Sequence, residues 1–162
     1  LWVIAGALII WSGAMWLADH QQNLTKGMKD VTVKDALIIG AFQALAPVFP
    51  GISRSGATIS AGLFLNMSRE AAARFSFLLA IPAVLASGLF SLPDAFAPQA
   101  GQAATGMQLL VGSGVAFVLG YVSIAWLLKF VANHSFAWFA AYRIPLGLVV
   151  MALLAAGVMS PL

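Results

Sequence analysis

Residues 50–60 read PGISRSGATIS, a Pro/Gly break followed by hydroxyl-bearing residues around one arginine, Arg54. The stretch interrupts two apolar arms, Ala36 to Phe49 before it and Ala57 to Leu65 after it. The first arm has about 14 residues, fewer than the ~20 that a helix needs to cross a hydrocarbon core of ~30 Å. Two short arms around such a break describe a re-entrant helix-loop-helix, because non-helical backbone at membrane depth persists only where protein or a wet cavity covers it. One kinked span of about 30 residues over the same range is the competing description. The density of Pro and Gly favours the hairpin, placed at about 36–65.

The surroundings of this stretch set the class. Of the 162 residues 62% are hydrophobic and 8% charged, against roughly 25% charged in a soluble domain; the mean hydropathy is +0.97. An all-α integral membrane protein follows, a single membrane domain over 1–162 with spans at about 1–17, 68–92, 107–131 and 137–159. The absence of cysteine removes disulfide and thiol chemistry. A net charge of +3 is too small to argue for nucleic acid, and the few basic residues act instead as topology markers. Three of them, Lys26, Lys29 and Lys34, fall in the polar stretch 19–35, which is therefore expected on the cytoplasmic side, while the loop 93–105 has no Lys or Arg and is expected outside. The final span carries Tyr142 and Arg143 in its first turns, read as an interfacial anchor, with a structural hydrogen bond behind the pocket as the alternative. Gly112, Ala116 and Gly120 form a small-residue face suited to close helix packing.

An arginine at bilayer depth costs ~2.5–3.5 kcal/mol on insertion scales, so it needs a partner. The chain has five carboxylates, Asp19, Asp30, Asp35, Glu70 and Asp94, all in loops or at helix ends. Counter-charge for Arg54 then comes from a ligand anion or from carboxylates elsewhere in a longer protein. The flanking residues favour the anion. Ser53, Ser55 and Thr58 supply hydroxyls, Gly51 and Gly56 permit close backbone approach, and a helix resuming near Gly56 points free N–H groups into the loop. The planar fork of arginine matches two phosphate oxygens at once. The plainer alternative is an interfacial turn, with Ser55 capping the second arm and Arg54 snorkelling to water. His20 and His134 flank span ends without acidic neighbours at ligand spacing, so no metal site is expected within the chain.

PGISRSGATIS, preceded by GAFQALAPVF and followed by SREAAARFSFLLAIP, resembles the second-half signature of the undecaprenyl-diphosphate phosphatase family, the bacitracin-resistance proteins of bacterial inner membranes. AAYRIPLG around Tyr142 and Arg143 is similar to that family's final helix. The resemblance implies hydrolysis of undecaprenyl diphosphate to undecaprenyl phosphate and inorganic phosphate, in a bundle of two inverted halves with a re-entrant hairpin in each. It also implies a multi-pass protein of the bacterial cytoplasmic membrane, a polyprenyl diphosphate lipid as partner, and a divalent cation, Mg²⁺. By resemblance Arg54 is the pyrophosphate-binding arginine, Ser53, Ser55 and Thr58 line its pocket, and Gln43 is the polar residue of the first arm. The family's other signature, a glutamate-rich segment with a Ser/His loop, is absent. The expectation is a fragment that carries half an active site, is inactive alone, and leaves the cation's ligands to the missing half. A carrier or flippase for an anionic polyprenyl lipid is the competing function, and a homo-oligomer is left open.

Overall fold

A computed structural model describes residues 1–21, 23–48, 50–96 and 106–158, with 94–96 described by their backbone alone. Among them are six α-helices: α1 (Trp2–Asp19), α2 (Val33–Val48), α3 (Arg54–Phe64), α4 (Arg69–Phe96), α5 (Gly106–Asn133) and α6 (Ala137–Ala155), with one 3₁₀ turn at Met28–Asp30. Four of these, α1, α4 over Arg69–Pro93, α5 and α6, are long and apolar enough to cross a membrane. The chain is an all-α, multi-pass membrane protein.

Capping chemistry explains where the two short helices begin. The Thr32 hydroxyl accepts from the Asp35 N–H at 3.2 Å, and the Asp35 carboxylate accepts from the Thr32 N–H at 2.8 Å. This reciprocal cap starts α2 at Val33, three residues before the apolar arm begins. At α3 the Ser53 hydroxyl accepts from Gly56 N–H at 3.2 Å. Capping thus falls to Ser53 rather than Ser55, and the helix includes Arg54 instead of resuming near Gly56. At the other end of α3 the chain turns through Asn66, with φ 63°, a left-handed value that asparagine tolerates.

The two arms pack on each other, and their outer ends are tied together. Lys26 N–H donates to Asn66 O at 2.9 Å and Ser68 N–H to Lys26 O at 2.8 Å, so the segments before α2 and after α3 meet. A hairpin results, with its mouth at Lys26 and Met67 and its tip at 50–53. Helix α3 lies between α1 and α4, and α6 packs on α1. Helix α3 approaches α4 closely at Gly62, where an added Cβ would stand 3.0 Å from Ala72 Cβ.

Charged residues bind the mouth. Arg69 Nε donates to Asp19 Oδ1 at 2.6 Å, Arg69 Nη2 to Asp19 O at 3.2 Å, and Ser135 Oγ to Asp19 Oδ2. This joins the end of α1, the start of α4 and the α5–α6 connection. Lys26 Nζ bonds Asp35 Oδ2 at 2.8 Å across the foot of α2. Lys26, Lys29, Lys34, Arg69, Arg74 and Lys129 all lie towards this end.

Helix boundaries differ from the sequence reading mainly at α4, which continues through Pro82 and one turn past Leu92. The remainder of the expected 93–105 loop, and Met159 at the expected end of the last span, lie outside the described residues. A Cβ added at Gly112 or Gly120 would meet no atom within 4 Å, so the small-residue face of α5 carries no packed helix among the described residues.

Candidate anion-binding site

The tip of the hairpin presents Ser53, Arg54 and Ser55 together. As the first residues of α3, Arg54 and Ser55 have N–H groups without intrahelical acceptors. The Ser53 and Ser55 hydroxyls lie 3.1 Å apart. Both border two cavities. One, of about 300 Å³, is lined by Arg54 with Ser76, Phe77 and Ala80. The other, of about 210 Å³, is lined by Gly56, Arg143 and a largely apolar wall that includes Phe77, Phe136 and Phe139.

The electrostatics are one-sided. Among the described residues the ion pairs are Lys26–Asp35, Arg69–Asp19 and Arg74–Glu70, and Asp30 accepts from the Gly27 N–H at 3.0 Å. No carboxylate lines either cavity, and neither Arg54 nor Arg143 has an ion-pair partner among the described residues. At the mouth, hydrogen bonds from the Lys26 ammonium, then from the Thr32 N–H and hydroxyl, lower the Asp35 carboxyl from 3.8 to about 2.

Other sequence candidates lie apart from these cavities. Thr58 is 1% exposed; its hydroxyl meets Ser76 Oγ at 2.6 Å and donates within α3 to Arg54 O or Ser55 O, both at 3.1 Å. It fastens α3 to α4 beneath the site. Gly51, with φ +101°, faces α1, where an added Cβ would come 2.8 Å from Ile4 O. Its close approach is to a helix rather than to either cavity. Gln43 stands on α2 away from both cavities, its Oε1 buried without a hydrogen-bond partner.

For Arg143 the structure favours the pocket-side alternative over the interfacial anchor. Tyr142 is 58% exposed, as an anchor would be, but Arg143 beside it is 9% exposed with its Nε buried and unpartnered. Gly147, one turn later, presses α6 onto α1 so closely that a Cβ would stand 2.7 Å from Ile9 Cγ1. That contact sets the turn of α6 and directs Arg143 inward. The available signal was the one applied to Arg54: a lone cation inside an apolar span without an acid in reach.

The donor set suits an anion and does not fit a divalent cation, which takes carboxylate, carbonyl and water oxygens. The cavities offer guanidinium, hydroxyl and N–H groups, and no group of three His, Asp or Glu suited to a metal occurs among the described residues.

Comparison with known proteins gives the same direction. Residues 1–149 match the family model described as "Bacitracin resistance protein BacA". The chain is 69% identical over 160 residues to "Undecaprenyl-diphosphatase 1" of Corynebacterium jeikeium, covering 99% of the chain and 57% of that relative. It is 70% identical over 154 residues to "Undecaprenyl-diphosphatase" of Corynebacterium striatum, covering 95% of the chain and 54% of the relative. The protein of that name from Mycolicibacterium gilvum is 56% identical over 161 residues, covering 99% of the chain and 58% of the relative. The chain thus spans a little over half the length of the curated relatives it matches.

Proposed function

Because the chain belongs to the bacitracin resistance protein BacA family, we propose that it supplies the phosphate-binding part of an enzyme that hydrolyses undecaprenyl diphosphate. The observation that supports this most is the carboxylate-free tip, where Arg54 and two hydroxyls stand at the open end of α3. In the reaction, water oxygen bonds to the terminal phosphorus and the bond from that phosphorus to the bridging oxygen breaks. Inorganic phosphate leaves, and undecaprenyl phosphate returns to use as a carrier for peptidoglycan precursors. Bacitracin resistance follows from removing the diphosphate form.

Arg54 holds two oxygens of the terminal phosphoryl group through its fork, and Ser53 and Ser55 donate to the same group. Phosphoryl transfer is mostly positioning and charge stabilisation, which these residues provide. They do not activate water. General-base chemistry, and the ligands of a divalent cation such as Mg²⁺, are assigned to segments present in the longer relatives. Depth in the membrane follows from length. The 11 residues of α3 make a rod of about 16 Å, so a hairpin with its mouth at the basic surface ends near the middle of a ~30 Å core. The basic mouth faces the cytoplasm of a bacterial inner membrane.

The test is Arg54→Ala in the whole gene product, assayed for phosphate release from a polyprenyl diphosphate in detergent. Loss of turnover by about 100-fold or more is expected, as for removal of a principal charge-stabilising group; turnover near that of the unaltered protein would overturn the assignment. A carrier of anionic polyprenyl lipid is the second reading, since an arginine and hydroxyl pair at the tip would serve binding as well as hydrolysis. It predicts lipid movement across vesicles without phosphate release.

A further inference from the structure

The proposed reaction leaves Arg143 without a task, yet the most buried cation of the chain borders the same hydroxyl pair. A guanidinium does not shed its proton on burial, so Arg143 cannot escape the cost of its position by becoming neutral. It remains 9% exposed, with Nε unpartnered, in a cavity that contains no carboxylate. Its surroundings differ from those of Arg54, which is exposed and lines the other cavity. Around Arg143 the wall is aromatic and aliphatic, with Phe77, Phe136 and Phe139 among its members. Ser53 and Ser55 stand between the two arginines, since each borders both cavities.

We infer that Arg143 binds the lipid-proximal phosphate of a prenyl diphosphate, while Arg54 on the other side of the Ser53–Ser55 pair binds the terminal phosphoryl group. The two phosphoryl groups share a bridging oxygen, so they occupy adjacent cavities with the hydroxyl pair at their junction. The wall around Arg143, which adds Phe136, Phe139, Leu127 and Ile59 to the Phe77 that both cavities share, receives the first isoprene unit. The same arrangement makes Arg143 a specificity residue. It favours phosphate attached to a prenyl chain over free phosphate, because only the former places an anion and an apolar group in this cavity together. After cleavage the prenyl monophosphate stays with Arg143 and inorganic phosphate departs from Arg54.

This inference rests on the proposed diphosphate hydrolysis and adds the placement of each phosphate. The experiment titrates the whole gene product in detergent with farnesyl monophosphate and, separately, with inorganic phosphate, following heat of binding. Arg143→Lys should raise the dissociation constant for farnesyl monophosphate about tenfold or more through loss of the fork, and leave that for inorganic phosphate within about twofold. Arg54→Lys should do the reverse. Arg143→Met gives the same pattern as Arg143→Lys, only larger, if charge is what matters. Unchanged farnesyl monophosphate affinity in both Arg143 variants would overturn the inference. So would an equal loss for both ligands accompanied by a lower unfolding temperature, which marks a packing role. Phosphate release from farnesyl diphosphate by the unaltered protein reports on hydrolysis separately. Its failure would sink the proposed function while the two dissociation constants still decide where a prenyl phosphate binds.

Discussion

Gly51→Ala isolates the geometry of the tip without removing any polar group from the site. Gly51 has φ +101°, where an L side chain is strained. Its added methyl would stand 2.8 Å from Ile4 O, 3.0 Å from Ile4 Cα and 3.0 Å from Ala7 Cβ. Two of these neighbours are backbone atoms of α1, which cannot swing aside as a side-chain end can. Ordinary contact begins at 3.4 Å, so the turn must retreat from α1 by about half an ångström or more. Conformational strain of ~1–3 kcal/mol together with overpacking of ~1–3 kcal/mol gives a loss of about 2–4 kcal/mol after partial relaxation. Because Ser53 and Arg54 follow two and three residues later, the same retreat moves the groups proposed to bind phosphate, and a misplacement approaching 1 Å costs up to ~100-fold in rate. Turnover should therefore fall at least about tenfold with the unfolding temperature in detergent lowered by several degrees. Gly88→Ala is the control: it lies in α4 with nothing within 4 Å, and should be neutral or stabilising by ~0.5–1 kcal/mol. Parent-like turnover and unfolding temperature in Gly51→Ala would refute the claim that contact with α1 sets the tip.

Two further predictions concern the mouth. Arg69→Met leaves the Asp19 carboxylate, whose side chain is 0% exposed, without its cation. Thermal unfolding should show a loss somewhat below the ~3–5 kcal/mol of a fully buried pair, since the Arg69 side chain is 37% exposed; an unchanged midpoint would refute the clasp. Asp35 titrates at about 2 in the folded protein instead of 3.8, so its contribution to stability is complete above 3.8 and disappears as pH falls through 2. Unfolding midpoints should accordingly be insensitive to this group between pH 5 and 8. The additional acid loss below 3.8 should be smaller in Asp35→Asn, and an equal loss in that variant would refute the assignment.

Much of this arrangement was legible because membrane proteins write their architecture in composition. The apolar runs marked α1, α4, α5 and α6, and the Pro/Gly break marked the turn between α2 and α3. The starts of the short helices were less legible, since TVKD and SRSG each contain more than one residue able to cap, and packing decides which one does. Thr58 illustrates a related limit. Sequence shows a hydroxyl four residues after Arg54, but Ser76 on α4 takes up that hydroxyl in the fold. The burial of Arg143 was less legible for the converse reason: its neighbour Tyr142 is more than half exposed, and the local sequence does not reveal how Gly147 turns α6 against α1. In each case the missing information is a contact between helices distant in sequence.

The segregation of charge has a consequence for the state of the site before substrate arrives. The described carboxylates are engaged at the mouth, while two guanidinium groups remain at the tip and beside it. If each arginine were dry, insertion would cost ~2.5–3.5 kcal/mol apiece on translocon scales, with nothing in these helices to offset it. The cavities are large enough to avoid that cost. A water occupies about 30 Å³ of liquid volume, so even the smaller cavity, at about 210 Å³, has room for several, and the serine hydroxyls and guanidinium groups give them polar partners. Hydrated arginines can wait there, and on the proposed reading a prenyl diphosphate replaces water at both with its own negative charge. Lysine could wait equally well, but an ammonium is a more strongly hydrated point charge and lacks the fork. Exchanging water for phosphate at that position therefore gains less, which is why the Arg→Lys variants separate binding of the anion from mere tolerance of a cation.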